Sequence, residues 1–354
     1  MIIIDAHLDL SWNALNWNRD LTRPVSEIRN LEAGMKERNR ATNTVAFPEM
    51  RRGEVAVCLA TLLARASHLN EDKLDYRNQE IAYAMAQGQL AYYRLMEEQG
   101  RLRMLKDWPA LAAQISNWKE TGGDSAPLGF VLSMEGADPI VSPAQAPQWW
   151  DAGLRVVGLA HYGPSAYAHG TGSPGGLTAR GRCLLEAMEE TGMVLDVTHL
   201  ADDSFWQAAN RFQGPVLASH NNCRSLVPGD RQFSDDQIRY LIDRGSVIGA
   251  AFDAWMLYPG WVPGETSNSA VGLEAVVDQI DHVCQLAGNV LHAAIGSDLD
   301  GGFGTEQCPR GLDTIVDLQK IPGLLRQRGY SEDDVEAVMY GNWLHFFQHA
   351  WTNR

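Results

Sequence analysis

The amino-acid sequence predicts an α/β fold in which eight parallel strands close into a (β/α)8 (TIM) barrel. Eight short apolar runs alternate with longer amphipathic stretches. Continuous apolar runs are typical of strands that are covered on both faces, as in a parallel sheet. The alternative, an open doubly wound sheet, needs a glycine-rich turn after the first strand, but residues 7–10 read His-Leu-Asp-Leu. The pattern therefore favours the closed barrel.

The predicted strands are four to eight residues long and nearly continuous in apolar character. In chain order they are Ile2–Ala6, Val55–Leu62, Leu128–Met134, Arg155–Ala160, Val194–Val197, Val216–Ser219, Val247–Ala251 and Leu291–Gly296. The predicted helices have apolar residues at three-to-four spacing. They are Arg77–Glu98, Thr178–Thr191, Asp202–Phe212, Asp235–Arg244, Leu273–Ala287 and a closing helix over 331–354.

Two connections are predicted to be long decorations of the barrel. Residues 20–53, after the first strand, are charged and lack strong periodicity. Residues 253–270, after the seventh strand, carry Trp255 and Trp261, which either roof a pocket or pack within their own loop. With these insertions, the 354 residues are expected to form one barrel domain.

Charge and cysteine content restrict the partners and the compartment. A formal net charge of −15 disfavours nucleic acid and anionic membrane surfaces as partners. The five cysteines are odd in number and include no Cys-x-x-Cys pair, so free thiols in a reducing compartment are expected. The sequence also has no signal-peptide pattern and no long apolar run. These features together predict a cytoplasmic protein.

Histidines and acidic residues stand at the ends of six of the predicted strands. They are His7, Asp9, Glu135, His161, His199, His220 and Asp298. The carboxyl ends of all strands in a (β/α)8 barrel open onto one face, where the active site lies. We therefore expect these side chains to converge, although each one alone has an ordinary structural explanation.

The residue types at these strand ends predict a metal site. His7 and Asp9 are two residues apart, so both should face the barrel mouth, and His199 and His220 add nitrogen ligands. Two ligand pairs suggest two metals, which a shared ligand would hold about 3.5–4 Å apart. The two oxygens of Glu135 suit that purpose.

A carboxylated lysine is the alternative shared ligand, since some metal-dependent barrels use one. Lysine is scarce in this chain, and none ends a predicted strand. Lys106, after residues 101–105, is the nearest candidate.

The strand-end residues occur within an ordered set of short motifs. The set reads His7-x-Asp9, Ser133-x-Glu135-Gly136, His161, Asp196-x-x-His199, Ser219-His220 and Gly296-Ser-Asp298-x-Asp-Gly. In order and approximate spacing it resembles the membrane (renal) dipeptidases, peptidase family M19. The likeness extends from the first strand to Tyr340-Gly-Asn-Trp-Leu344 in the last helix.

The resemblance implies a dipeptidase with two zinc ions, although other divalent transition metals could occupy the same ligands. His7 and Asp9 would bind the first zinc, His199 and His220 the second, and Glu135 would bridge them. The implied reaction is attack of a metal-activated hydroxide on small dipeptides, including L-Xaa-D-Xaa dipeptides. A homodimer is also implied.

Three further residues acquire roles from the resemblance. His161 would contact the substrate and steady the tetrahedral intermediate, and Asp298 would handle the proton of the attacking water. Arg231, eleven residues after His220, would bind substrate.

The chain departs from the family pattern in loops that shape the pocket. Residues 221–224 read Asn-Asn-Cys-Arg, positions 232 and 233 are Gln and Phe, and Ala-Phe-Asp-Ala-Trp at 251–255 replaces the usual Asn-Phe-Tyr. Substrate preference is therefore open. Two alternatives are a hydrolase of another small amide, lactam or N-acyl amino acid on the same site, and a metal-stabilised binding protein without turnover.

Overall fold

The computed structural model describes residues 1–66, 75–123 and 126–352. Its strands are β1 Ile3–Leu8, β2 Val55–Leu62, β3 Arg65–Ala66, β4 Asp75–Tyr76, β5 Leu102–Met104, β6 Leu128–Met134, β7 Leu154–Gly158, β8 Val194–Asp196, β9 Val216–Leu217, β10 Ile248–Ala250 and β11 Ala293–Ile295. Its α-helices are α1 Leu10–Asn16, α2 Val25–Glu32, α3 Phe47–Arg52, α4 Gln79–Glu98, α5 Trp108–Thr121, α6 Ala146–Ala152, α7 Ala179–Thr191, α8 Asp202–Arg211, α9 Asp235–Asp243, α10 Glu274–Ala287, α11 Ile321–Gln327, α12 Glu332–Glu336 and α13 Asn342–Thr352.

Eight parallel strands form the barrel. One sheet runs in the order β1-β2-β6-β7-β8-β9, and β10 pairs with β11. A parallel bridge between Ala218 and Ile248 joins β9 to β10. The ring closes where the Asp5 carboxylate of β1 accepts hydrogen bonds from the backbone N–H and the hydroxyl of Ser297, after β11. All eight predicted strands are present, so the predicted barrel is confirmed.

The structure corrects the sequence prediction outside the barrel strands. The prediction missed the short strands β3, β4 and β5, and the segment 20–53 contains helices α2 and α3. The closing segment is helical from Glu332 to Thr352, as predicted, with a π-helical turn at Ala337–Gly341 between α12 and α13. Residues 353–354 of that prediction lie outside the described residues.

Local sequence explains where several helices begin. Asn78 and Thr178 accept a hydrogen bond from the first turn of α4 and α7, and Ser234 forms a capping box with Gln237 at the start of α9. The barrel strands are buried along their whole length, as their apolar sequences require. Loops at the carboxyl ends of the strands thus rest on a rigid frame.

The structure also shows the state of the cysteines and the apolar character of the helices. All five cysteines are free thiols, and Cys183 is the exposed one. Within the described ranges, no helix has both the length and the apolar character needed to span a bilayer.

Candidate active site

Glu135 occupies the centre of the cluster at the carboxyl ends of the strands. Its Oε1 atom lies 3.1 Å from Nε2 of His199 and 3.3 Å from Nε2 of His220. Its Oε2 atom lies 3.6 Å from Nε2 of His7. One oxygen of this carboxylate therefore faces His199 and His220, and the other faces His7.

Two aspartates complete the His7 side of the cluster. Nε2 of His7 lies 3.7 Å from Oδ2 of Asp9 and 3.8 Å from Oδ1 of Asp298. Three sets of potential ligand atoms each lie within 4.8 Å of one another. The sets are His7–Asp9–Glu135, Glu135–His199–His220 and His7–His220–Asp298. The convergence expected from the strand ends is present.

A hydroxyl group lies against the Nδ1 atom of each of these three histidines. The partners are Ser219 for His220 at 2.9 Å, Thr171 for His199 at 3.2 Å and Thr61 for His7 at 3.5 Å. The hydroxyl of Ser219 in turn donates to the carboxylate of Asp196, so it accepts a hydrogen bond from Nδ1–H of His220. A proton on Nδ1 leaves the Nε2 lone pair free for a metal.

Burial, opposed at some groups by neighbouring charges, sets the protonation of the cluster. It lowers the pKa of His199 and of His220 well below the ordinary value, so both imidazoles are neutral. Burial alone would raise the pKa of Glu135, but His161 and His7 beside it hold that pKa well below its usual range. Burial also raises the pKa of Asp298. His199, His220 and Glu135 thus have the forms that bind metal ions, namely neutral imidazoles and an ionised carboxylate.

The donor atoms fit divalent metal ions. Nε2 of His7 and Oδ1 of Asp9 are buried and have no hydrogen-bond partner among the residues that the structure describes. The Nε2 atoms of the two neutral imidazoles of His199 and His220 lie 3.2 Å apart, so both point toward the same place. Burying several carboxylates together with an unpartnered nitrogen atom is unfavourable unless a cation compensates for them.

His161 and Arg231 flank the cluster. Nε2 of His161 lies 3.8 Å from Oε1 of Glu135, and burial lowers the pKa of His161 to about 4. Arg231 is 2 % exposed and donates to the carbonyl of His220 at 2.9 Å and to the side chain of Asn221. The guanidinium is thus fixed in place next to the cluster.

The backbone is strained at two of the cluster residues. His199 has φ of 66° and Asp298 has φ of 59°, both in the left-handed region that side chains rarely adopt. The space around Asp298 is also tight, because a Cβ atom at Gly301 would lie 1.9 Å from Oδ1 of Asp298. Such strain persists only where the surroundings enforce it.

A cavity of about 440 Å³ opens above the cluster. It is lined by predicted site residues, namely Asp9, Glu135, His161, His199, Arg231 and Asp298. Its wall also includes residues that the sequence analysis did not assign to the site, among them Trp12, Arg38, Tyr162, Met256, Phe303 and Gln307. Trp255 and Pro263 line it too, which favours the pocket-roof interpretation of residues 253–270.

Lys106 lies away from the cluster. Its carbonyl accepts a hydrogen bond from Arg155 near the amino-terminal end of β7, whereas the cluster lies at the carboxyl ends of the strands. This position excludes it as a shared ligand.

Asp253 has a buried carboxyl group in the cavity wall. The side-chain amide of Gln307 donates hydrogen bonds to both carboxyl oxygens of Asp253, at 2.9 and 3.0 Å. Burial raises the pKa of Asp253 from 3.8 to about 7. The folded state therefore retains the proton to higher pH than the unfolded chain does, and stability should fall as the pH rises between these values. Asparagine at this position cannot titrate.

Between about pH 4 and about pH 8, D253N should become more stable relative to the wild-type protein by up to ~4 kcal/mol. Urea unfolding of both proteins at the two pH values measures this difference. D243N, at an exposed aspartate, is the control. A difference between D253N and wild type that is independent of pH would contradict the prediction.

Comparison with known proteins places this site in a family. The family model described as "Membrane dipeptidase (Peptidase family M19)" matches residues 1–354. The chain belongs to the membrane dipeptidase family. This membership confirms the resemblance seen in the motifs and the expectation of a metallo-dipeptidase.

Two relatives of this M19 chain differ in how much of their length it matches. A Klebsiella pneumoniae protein, "Uncharacterized protein in pqqA 5'region", is 29% identical over 262 residues, or 71% of this chain and 90% of that protein. "Dipeptidase aclJ" of Aspergillus oryzae is 28% identical over 226 residues, covering 61% of this chain. The chain matches only 50% of the length of that fungal dipeptidase.

A solved structure has the same fold as this M19 chain. The metallo peptidase from Rhodobacter sphaeroides, liganded with a phosphinate mimic of the dipeptide L-Ala-D-Ala, aligns with a TM-score of 0.79 and 21% identity. The alignment covers 99% of both chains.

Proposed function

We propose that this chain hydrolyses the peptide bond of small free dipeptides, including L-Xaa-D-Xaa dipeptides, with two zinc ions. The observation that carries the proposal is the placement of Glu135, whose two oxygens face separate histidine groups. The L-Ala-D-Ala mimic in the Rhodobacter sphaeroides relative supports the choice of substrate.

Five residues would hold the two ions. His7 and Asp9 would bind one, His199 and His220 the other, and Glu135 would bridge them. Mixed nitrogen and oxygen ligands without cysteine favour zinc among the transition metals. The ions supply two effects when bound: they lower the pKa of a water molecule and polarise the scissile carbonyl.

Asp298 is proposed to move the proton. Its carboxylate lines the cavity and lies beside His7, next to the place where the attacking water must be held. A carboxylate in this position takes the proton from the water and returns it to the departing amine. No covalent bond to the protein is required.

His161 and Arg231 are proposed to bind and orient the substrate. Both line the cavity, and both lie close to the Glu135 cluster. The fixed guanidinium of Arg231 suits a carboxylate or a developing oxyanion, and an N–H donor on His161 suits the carbonyl oxygen on which charge builds. Donors held in place before the reaction need little reorganisation during it.

The cavity favours a small substrate. A volume of about 440 Å³ is at the lower end of ligand pockets and accommodates a dipeptide. The aromatic side chains of Trp12, Trp255 and Phe303 in its wall offer apolar contact to the substrate side chains.

We propose in addition that the protein is a cytoplasmic homodimer. Sedimentation would test the oligomeric state, and cell fractionation would test the compartment.

Metal analysis combined with an activity assay tests the proposed function. The purified protein should contain about two equivalents of zinc and should release alanine from L-Ala-D-Ala. Chelation should abolish this cleavage, and added zinc should restore it. If the protein binds two metals but cleaves only N-acyl amino acids, lactams or other amides, the metal site would stand and the substrate would be one of those amides instead of a dipeptide. Less than about one equivalent after zinc addition would contradict the metal site itself.

A further inference from the structure

Arg65 is a buried arginine that contacts the active site. It is 2 % exposed and follows β2 at the carboxyl-terminal face of the barrel. Its Nη1 atom lies 3.0 Å from Nδ1 of His161, and its Nε atom pairs with the carboxylate of Asp75. Burial of a guanidinium is costly, so its placement against a cavity-lining histidine requires an explanation.

The chemistry of the two groups fixes the direction of the hydrogen bond. A guanidinium has five N–H donors, no acceptor, and remains protonated in proteins. The Nδ1 atom of His161 must therefore accept, and the neutral imidazole must carry its proton on Nε2. An Nε2–H group is a hydrogen-bond donor and cannot bind a metal ion.

The other three histidines of the site have a different kind of partner at Nδ1. Their Nδ1 atoms face hydroxyl groups, which can accept a hydrogen bond from Nδ1–H, as the hydroxyl of Ser219 does beside His220. The partner at Nδ1 therefore distinguishes His161, which carries an Nε2–H donor, from His220, whose Nε2 lone pair is free.

The loops that carry Arg65 and His161 are connected to each other through Asp138. Asp138 accepts a hydrogen bond from the backbone N–H of Ala66, next to Arg65, and another from that of Ala166, beyond His161. One buried carboxylate thus ties together the loops that carry the arginine and the histidine.

We propose that Arg65 is a positioning residue that fixes His161 as an Nε2–H donor aimed at the substrate carbonyl. The proposal rests on the proposed peptide hydrolysis for its catalytic consequence, but the proton position on His161 can be measured without any activity.

Nitrogen NMR of the histidine side chains tests the proton position directly. In zinc-loaded protein labelled with ¹⁵N-histidine, His161 should show a protonated Nε2 and an unprotonated Nδ1, and His220 should show the reverse. The signals are assigned by their loss in H161N and H220N. A protonated Nδ1 on His161 would overturn the proposal even if the enzyme cleaves dipeptides.

A double-mutant cycle tests whether Arg65 acts through His161. R65M should lower kcat about 10–100-fold with little change in KM, and R65K should retain more activity because it keeps a charged donor. In an H161N background, R65M should change kcat less than about 2-fold. Equal losses in both backgrounds would mean that Arg65 supports only the fold.

Two further variants separate folding from positioning. R155M removes another buried arginine, which bonds backbone carbonyls far from the cluster, and should leave kcat unchanged. R65M/D75N removes both members of the buried ion pair and replaces R65M if that variant does not fold. A wild-type protein without dipeptidase activity would contradict the proposed function but not the tautomer assignment.

Discussion

Replacing Glu135 with glutamine is expected to reduce zinc content to less than about half and to lower dipeptide hydrolysis more than about 100-fold. The glutamine keeps the shape of the side chain but loses the charge and one of the two acceptor oxygens. One oxygen of Glu135 faces His7 and the other faces His199 and His220, so both proposed metal sites should weaken together. Loss of an outer partner of a metal ligand already costs 10–100-fold, so loss of the shared ligand should cost more.

Elemental analysis and kcat/KM for L-Ala-D-Ala, measured on the same preparation, provide the test of E135Q. E49Q is the matched control, because Glu49 is also buried but pairs with Arg52 on helix α3. It should retain both metal and activity. Full zinc content in E135Q would show that the carboxylate is not a shared ligand, and the proposal of two bridged ions would have to be abandoned.

The predictability of the fold depended on the length of each element. Strands such as β2 and β6 are continuous apolar runs, and their observed bounds equal the predicted ones. Strands β3 and β4 have two residues each, too few to show any period. Helix α2 buries Val25 and Ile28 on one face, but two turns within a charged segment give a weak pattern.

The site was predictable where barrel geometry fixes side chains and not where loops do. Residues at strand ends, such as His7 and His220, have positions that follow from the fold itself. Asp253 and Gln307 meet in the cavity wall through contacts between distant loops, which no local pattern encodes. Arg65 did leave a signal, since it is a charged residue in the otherwise apolar run Leu62-Leu63-Ala64-Arg65-Ala66.

Replacing Asp298 with asparagine should separate proton transfer from metal binding. If Asp298 handles the proton, D298N should retain both zinc ions and lose about 10²–10⁴-fold in kcat, with KM nearly unchanged. Its carboxylate also lies 3.8 Å from Nε2 of His7, close enough to form a ligand group with His7 and His220. A role as ligand predicts a different result, namely that zinc content falls together with activity.

Asp300 offers a control within the same loop. It is more buried than Asp298, and its carboxylate accepts hydrogen bonds from the backbone of Thr44 and Val45, away from the cavity. D300N should lower thermal stability, because at least one acceptor interaction is lost in a buried place. Its zinc content and kcat should stay close to wild type. A low kcat in D298N with full metal, alongside a normal kcat in D300N, would assign the proton step to Asp298 rather than to the shape of its strained turn.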